Sequence, residues 1–450
     1  MKRAKIVFWA TLALIVVLWL AIDPGALRPS GFFALRGSMV QLTGLLAMTC
    51  MSLATILALR PRWPERWIDG LDKMYRLHKW LGIGGLVLAI VHWLWSQGPK
   101  WAVGFGWLAR PERGPRPVSA NMVEEALRSW RGSAEGIGEW AFYAAVLLIA
   151  VALIERIPYR LFYKTHRWLA AVYLVLVFHT VVLMNFRYWA SPLGFVMAIL
   201  LAYGTWAALV VLARRVGAGR KVRGTITRLQ YFPSLRVLEG EIATAQGWPG
   251  HKSGQFAFIT SHEADEAHPF TIASAWNPSD RRLTFITKEL GDYTKRLPDV
   301  LQVGQPVKVE GPYGCFTFDD GRARQIWIGG GIGVTPFIAR MKQLAMDRQA
   351  YPSRPHPQAI DLFHTTADWS DEAIAKLTGD AKASGVRLHV LHDPRDGLLT
   401  GERIRATVRD WKEASVWFCG PTGFGAALRE DFVRHGLPDE RFHQELFAMR

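Results

Sequence analysis

The sequence predicts a membrane all-α six-helix bundle followed by a soluble half, an antiparallel β-barrel domain and then an α/β domain. Three observations predict it. The mean hydropathy of +0.09 averages two dissimilar halves, because long apolar runs fill the chain only as far as about residue 213. Short β-like runs with turn signals begin at Val222, and strand–turn–helix patterns follow from Gln325. The expected boundaries are 1–214, 222–322 and 323–450, and 450 residues suffice for several domains.

Six apolar runs approach the roughly 20 residues that a bilayer span requires: about 5–22, 37–59, 78–97, 137–155, 160–186 and 189–213. The first also has the look of a signal peptide, with Lys2, Arg3 and Lys5 before an apolar run. No small-x-small cleavage site follows cleanly, so it is read as a retained span. Many of the 20 tryptophans, Trp9, Trp80 and Trp189 among them, sit in or at the ends of these runs, as interfacial anchors do.

Lysine and arginine mark alternate loops: Lys2 to Lys5, Arg60 to Lys79, Arg156 to Arg167, and Arg214 to Arg223. With six spans all four clusters fall on one side, which predicts a multi-pass protein of the cell membrane with both termini cytoplasmic. Segment 98–136 is then outside. The same clusters account for the net charge of +16, so nucleic acid is not an expected partner; the lipid bilayer is. Three scattered cysteines, Cys50, Cys315 and Cys419, exclude a disulfide framework, a zinc site and an iron–sulfur cluster.

The first 250 residues hold four histidines, all in or beside apolar runs: His78 and His92 near span three, His166 and His179 in span five. An imidazole in a span is costly unless it is a ligand or a packed polar contact. Spans three and five run in the same direction, so His78 and His166 lie at an inner level and His92 and His179 at an outer one, about 20 Å further along the axis. The phases differ. Fourteen residues return His92 to within about 40° of the His78 face, whereas thirteen carry His179 about 140° away from His166. Span five must therefore be tightened or irregular somewhere. Hydrogen bonding within the bundle is the plain reading of one such histidine; four, paired by level, read better as axial ligands of two haems. A protein-only zinc site would space its ligands more closely.

In the soluble half three segments stand out: His268-Pro-Phe-Thr-Ile-Ala-Ser274, Lys288-Glu-Leu-Gly-Asp-Tyr-Thr294 and Glu310-Gly-Pro-Tyr-Gly314. Further on, the strand Gln325–Ile328 runs into Gly329-Gly-Gly-Ile-Gly-Val-Thr-Pro336 and a helix. Such a loop lets backbone amides approach a pyrophosphate at a helix N-terminus, with Thr335 as N-cap and Pro336 at the first helical position. A second strand, Val416–Cys419, leads into Gly420-Pro421. Cys419 is either a small core residue or a thiol facing the same crevice.

In this order the motifs resemble those of the ferric reductase and NADPH oxidase superfamily, and the resemblance covers almost the whole chain. It implies a transmembrane flavocytochrome b of bacterial type with a ferredoxin-NADP reductase-like C-terminal half. The histidine spacings match its two haem-bearing helices, so His78 and His166 would bind the inner haem b and His92 and His179 the outer. His268, Pro269, Phe270, Thr271 and Ser274 would line FAD, with Lys288, Gly291 and Thr294 flanking its phosphates. Gly330, Gly331, Gly333, Thr335 and Pro336 would hold NAD(P)H, with Cys419, Gly420 and Pro421 beside the nicotinamide. Phe447 resembles the aromatic residue that covers the flavin until nicotinamide displaces it. Two positions depart from the pattern. Ser96 stands where the oxidase branch has a second histidine one turn beyond the outer ligand, and Asp368 follows the strand end Phe363–Thr366 where an arginine for a 2′-phosphate is expected. NADH and NADPH both remain open.

The resemblance implies a transmembrane oxidoreductase that carries electrons from cytoplasmic NAD(P)H through FAD and two haems to an exterior small molecule, ferric chelate or oxygen, the latter giving superoxide. The alternative is a membrane module that donates electrons to a periplasmic partner protein. A haemless channel leaves the cofactor motifs unexplained.

Overall fold

The computed structural model describes residues 2–110, 121–262, 266–353 and 358–445. The chain divides into two compact units, one of residues 1–68 with 73–216 and the other of 217–450 with 69–72.

The first unit is entirely helical. Its elements are α1 (Lys2–Ile22), α2 (Phe32–Leu57), α3 (Arg62–Ile68), α4 (Leu71–Gly104), α5 (Met122–Ser129), α6 (Arg131–Leu153), α7 (Tyr159–His166), α8 (Leu169–Leu183), α9 (Phe186–Trp189) and α10 (Pro192–Leu212). Six segments are long and apolar enough to cross a membrane: α1, α2, α4, α6, α7 with α8, and α10. Ile15, Trp19, Leu45, Met48, Tyr173, Tyr188 and Met197 form their common core. Two polar pairs inside it satisfy each other, as a lipid-embedded bundle favours: Ser52 Oγ and Tyr173 Oη lie 2.8 Å apart, and Trp19 Nε1 donates to Tyr188 Oη at 3.2 Å. Ile6, Trp9, Leu147 and Trp206 are exposed on the outward faces, where lipid replaces water.

Helix α4 is longer than its apolar run at both ends and continues through Pro99. A proline inside a helix leaves the carbonyl four residues earlier without its donor. Here that carbonyl is Trp95, and Arg36 of α2 supplies the donor, Nε at 3.1 Å. A second guanidinium nitrogen reaches Ser96 O at 3.0 Å. Span five has the expected irregularity, and it falls immediately after a histidine. Helix α7 ends at His166 and α8 begins at Leu169. Across the junction Trp168 N donates to Thr165 O at 2.9 Å and Ala170 N to Arg167 O at 3.0 Å. These are tight i→i+3 bonds, which wind the chain further per residue than an α-helix does.

The second unit opens with a six-stranded antiparallel sheet: β1 (Lys221–Phe232), β2 (Val237–Thr244), β3 (Phe256–Thr260), β4 (His268–Thr271), β5 (Arg282–Lys288) and β6 (Pro306–Tyr313), with α11 (Asp292–Val300) between the last two. The order is β4-β3-β6-β1-β2-β5, and an antiparallel bridge between Ile272 and Phe285 joins the two edges into a barrel. Ile226, Ile242, Ala257, Phe285 and Val309 fill its interior. Pro269 is tolerated in β4 because β4 lies at the end of the sheet order.

Residues from Arg324 onward form the α/β domain. Its elements are β7 (Arg324–Gly330), α12 (Thr335–Ala350), β8 (Ala359–Thr366), α13 (Asp371–Ser384), β9 (Arg387–His392), α14 (Asp393–Asp396), α15 (Gly401–Thr407), β10 (Ser415–Cys419), α16 (Thr422–Arg434) and β11 (Phe442–Gln444). All neighbours in the order β11-β10-β7-β8-β9 are parallel. The chain leaves β7 toward β8 on one side, and β10 lies on the other. The crevice at the carboxyl ends of β7 and β10 is therefore the topological switch point, where such folds bind ligands.

Candidate functional site

The helical unit brings the four histidines together in the expected pairs. The rings of His78 and His166 have centres 5.9 Å apart with planes at 67°. Those of His92 and His179 are 6.2 Å apart at 80°. A metal held between two imidazole nitrogens at about 2.0 Å each would separate the ring centres by about 6 Å. Backbone carbonyls engage Nδ1 in three of the rings: Ala54 O at 2.9 Å from His78, Val40 O at 3.0 Å from His92 and Ala134 O at 2.8 Å from His179. A ring that donates from Nδ1 presents the Nε2 lone pair, the usual arrangement of a ligating histidine. His166 differs, since its buried Nδ1 has no hydrogen-bond partner. Among the described residues no group of three or more His, Cys, Asp or Glu side chains could hold a bare metal ion. The donor set is two imidazoles per level, which suits a macrocycle that supplies the remaining ligands. One glycine shapes the outer level. A Cβ on Gly138 would lie 2.0 Å from His179 Nδ1, so α6 can approach this ring only without a side chain there.

In the barrel, β4 consists of His268, Pro269, Phe270 and Thr271, and Ser274 follows it. The His268 ring stacks on Tyr293 with centres 3.6 Å apart. Ser274 holds β5 in place, its Oγ accepting from Thr284 N at 3.1 Å, and Ser274 O receives His251 Nε2 at 2.9 Å. Gly291 and Thr294 together open α11. Thr294 Oγ1 accepts from Leu290 N at 3.0 Å and Gly291 N at 3.1 Å, and donates to Gly291 O at 3.2 Å. Lys288 is not part of this turn. Its Nζ lies 2.5 Å from the Asp368 carboxylate at the end of β8, and both side chains line a cleft of about 870 Å³ that Gly331, Ile332, His364 and Thr366 also line.

The glycine loop ends β7 at Gly330, turns once through Gly331–Val334 and enters α12. Gly331 has φ +56°, a conformation that favours glycine. A Cβ on Gly333 would lie 2.1 Å from Cys419 O, and that close approach brings the loop against the turn Cys419-Gly420-Pro421. Both segments therefore face one crevice. The N-cap assignment needs correction. The 3₁₀ turn runs straight into the helix, so Thr335 is already helical, and its Oγ1 donates to Ile332 O at 2.7 Å instead of accepting from the first turn. Pro336 lies in that first turn, where a missing N–H costs nothing.

Cys419 is fully buried. Burial, and then the charge of Glu445, push its thiol well above the usual range, so it stays protonated. Glu445 is itself buried, with Oε1 3.5 Å from the place of a Cβ on Gly314. Sequence reasoning missed Glu445 as a site residue, although the signal was the same Glu-Leu-Phe stretch that singled out Phe447. Phe447 lies outside the described residues. His364 lies beneath the loop with Nδ1 3.1 Å from Gly329 O, and burial lowers its pKa and keeps it neutral.

Residues 43–177 match the family model described as ferric reductase like transmembrane component, and residues 226–317 match that of an FAD-binding domain. A superoxide-generating NADPH oxidase heavy chain of Dictyostelium discoideum is 24% identical over 316 residues, 64% of this chain and 58% of that protein. The respiratory burst oxidase homolog protein E of Arabidopsis thaliana is 30% identical over 217 residues, 41% of this chain and 21% of that protein. A flavohemoprotein of Pseudomonas putida is 23% identical over 192 residues, 41% of this chain and 47% of that protein. The chain thus spans less than two thirds of the length of each. Among solved structures, the flavohem-like FAD/NAD binding domain of nitric oxide dioxygenase from Vibrio cholerae covers 50% of this chain and 98% of its own, at TM-score 0.42 and 19% identity. A ferric reductase transmembrane match across the histidine helices and an FAD-binding match across the barrel together fit the ferric reductase and NADPH oxidase superfamily.

Proposed function

We propose that this chain is an NAD(P)H-dependent transmembrane oxidoreductase that passes electrons from the cytoplasm through FAD and two b-type haems to an exterior acceptor, ferric chelate or oxygen. The observation that carries the reading is the pair of histidine couples, two rings at each of two levels, with ring centres 5.9 and 6.2 Å apart. When bound, flavin would supply the conversion of a two-electron hydride into single electrons, and haem would supply one-electron carriers.

The protein's own contribution is binding and orientation. Carbonyls of Ala54, Val40 and Ala134 set three imidazoles with Nε2 toward the ligand position. His78 with His166 and His92 with His179 would hold the two haems, which would supply one-electron transfer toward the exterior acceptor. In the soluble unit, strand β4 and the start of α11 line the flavin. The glycine loop and the N-terminus of α12 receive the dinucleotide pyrophosphate. Cys419, protonated and packed among Phe316, Trp327 and Trp417, is a core residue whose backbone carries the turn beside the nicotinamide.

The test is a reduced-minus-oxidised spectrum of the purified protein. Bands of b-type haem are expected, about half of them lost in each of His78→Ala and His179→Ala if each level holds one haem. Absent bands, or bands untouched by both substitutions, sink the reading. NAD(P)H oxidation with oxygen and ferric chelate as competing acceptors then ranks the substrates. A haem-loaded preparation inert toward both points to a periplasmic protein as acceptor.

A further inference from the structure

The cleft beside the glycine loop differs from a 2′-phosphate site in charge. Three lysines line it, Lys288, Lys342 and Lys376, together with three acids, Glu239, Asp368 and Asp380. The cations are already matched. Lys288 Nζ lies 2.5 Å from Asp368, Lys376 Nζ lies 2.6 Å from Glu239, and Lys342 acts electrostatically on Asp380. Two further cations stand nearby: Arg236, 4.0 Å from Asp368 and more than half exposed, and Arg395, which lies over the Trp369 ring of the same turn and is paired with Asp396 at 2.9 Å. The turn from β8 to α13, Ala367-Asp-Trp-Ser370, contains no basic residue. Asp393 adds another carboxylate at this edge, accepting a hydrogen bond from Thr365 Oγ1.

Asp368 also stands where the ribose of the adenosine half belongs. The pyrophosphate position is fixed by the loop after β7, and in doubly wound sheets the adjacent ribose lies over the carboxyl end of the next strand. That strand is β8, paired in parallel with β7 up to Gly330 and Thr365, and Asp368 follows its end by two residues. Thr366 Oγ1 donates to Asp368 O at 2.9 Å and fixes the turn. Lys288 holds the carboxylate ionised, so it is purely an acceptor, suited to ribose hydroxyls. A 2′-phosphate would bring about −1.5 to −2 further charge to a position already acidic.

We propose that Asp368 is a specificity-determining residue that makes NADH, and not NADPH, the electron donor of this chain. The inference rests on the reading of this cleft as the dinucleotide site. Two readouts test it on full-length, flavin-loaded protein in detergent: calorimetric binding of ADP-ribose against its 2′-phosphate, and kcat/KM for flavin reduction by NADH against NADPH. ADP-ribose and NADH are expected to be favoured by at least about tenfold, as a site built around hydroxyl acceptors discriminates. Asp368→Asn narrows both ratios, mainly by improving the phosphorylated ligand. Ala367→Arg, an exposed position on the same turn, narrows them with the carboxylate left in place, so the claim survives a poorly folding Asp368 variant. Preference for the 2′-phosphate in the wild type, or ratios unmoved by both substitutions, overturns the assignment alone. Failure to bind either ADP-ribose form, with no flavin reduction by either donor, overturns the dinucleotide reading of the cleft and the preference with it.

Discussion

His179 is oriented by the absence of a side chain opposite it. Its Nδ1 meets Ala134 O at 2.8 Å, one turn before Gly138, where any Cβ would stand 2.0 Å from the same nitrogen. Gly138→Ala should turn the ring off its carbonyl, at a cost of about 1 kcal/mol for the lost hydrogen bond plus the displacement of a ligand. The expected result is a shifted potential or lost absorbance for the outer haem alone, read by potentiometric titration, while the His78–His166 level keeps its signal. Two wild-type midpoints in this variant would show that the contact does not matter. The four histidines were legible in the sequence because an imidazole in an apolar span is conspicuous whatever the fold. Gly138, Glu445 and the engagement of Lys288 with Asp368 were not. Each is defined by a neighbour distant in sequence, and neither residue type nor spacing encodes that neighbour.

At the scale of elements, sequence periodicity went furthest where a segment answers only to its own pattern. The six spans were placed, with most ends within about three residues but the starts of α2 and α6 five and six residues late and both ends of α4 missed, and helical phase required a fault in span five without locating it. The fault sits after His166 because the turn there is set by tertiary packing. The reach of α4 through Pro99 escaped notice for a similar reason, since its missing donor comes from Arg36 on another helix. The α/β sheet depends on a comparable tie at the end opposite the crevice. Asp361 of β8 is buried between Arg324 of β7 at 2.5 Å and, on β9, Arg387 at 2.7 Å and His389 at 2.8 Å. Burial works to raise the Asp361 pKa, but His389, Arg387 and Arg324 together hold it below the ordinary value. A carboxylate depressed in the folded state stabilises above its unfolded pKa of about 3.9, and that stabilisation is lost as pH falls through the folded value. Asp361→Asn leaves Arg324 with only the half-exposed Asp410, 3.0 Å from its Nε, as a charge partner, and weakening the buried part of this network costs about 1–3 kcal/mol. A lowered urea midpoint for the soluble half is expected at pH 7, converging on wild type as pH falls through the lowered folded value of Asp361. A variant as stable as wild type at pH 7 removes the tie from the account.

At the scale of the whole molecule, the two histidine levels set how charge can cross. Helix α4 is continuous from His78 to His92, so the levels are about 21 Å apart along it, a large part of a hydrocarbon core about 30 Å thick. Two haems at these depths would relay electrons between the faces, whereas a proton path would need titratable side chains between the levels. The segment of α4 from Lys79 to Val91 supplies none beyond Lys79 at its inner end, and Val172 to Phe178 of α8 has only Tyr173. Tyr173 is committed to Ser52. On the proposed reading, and with no titratable relay between the levels on these two helices, electrons should cross without protons and turnover should be electrogenic. In sealed vesicles with ferric chelate trapped inside and donor added to the soluble half outside, the lumen should become negative while the exterior gains the proton released from NAD(P)H. Each 100 mV of that potential opposes the next electron by about 2.3 kcal/mol, so the rate should fall within a few turnovers and recover when valinomycin with potassium collapses the potential. His92→Ala should abolish reduction of the trapped acceptor while flavin reduction persists. A rate indifferent to valinomycin, with no potential developed, would mean that protons accompany the electrons, and the two-level relay would then be insufficient to describe transport.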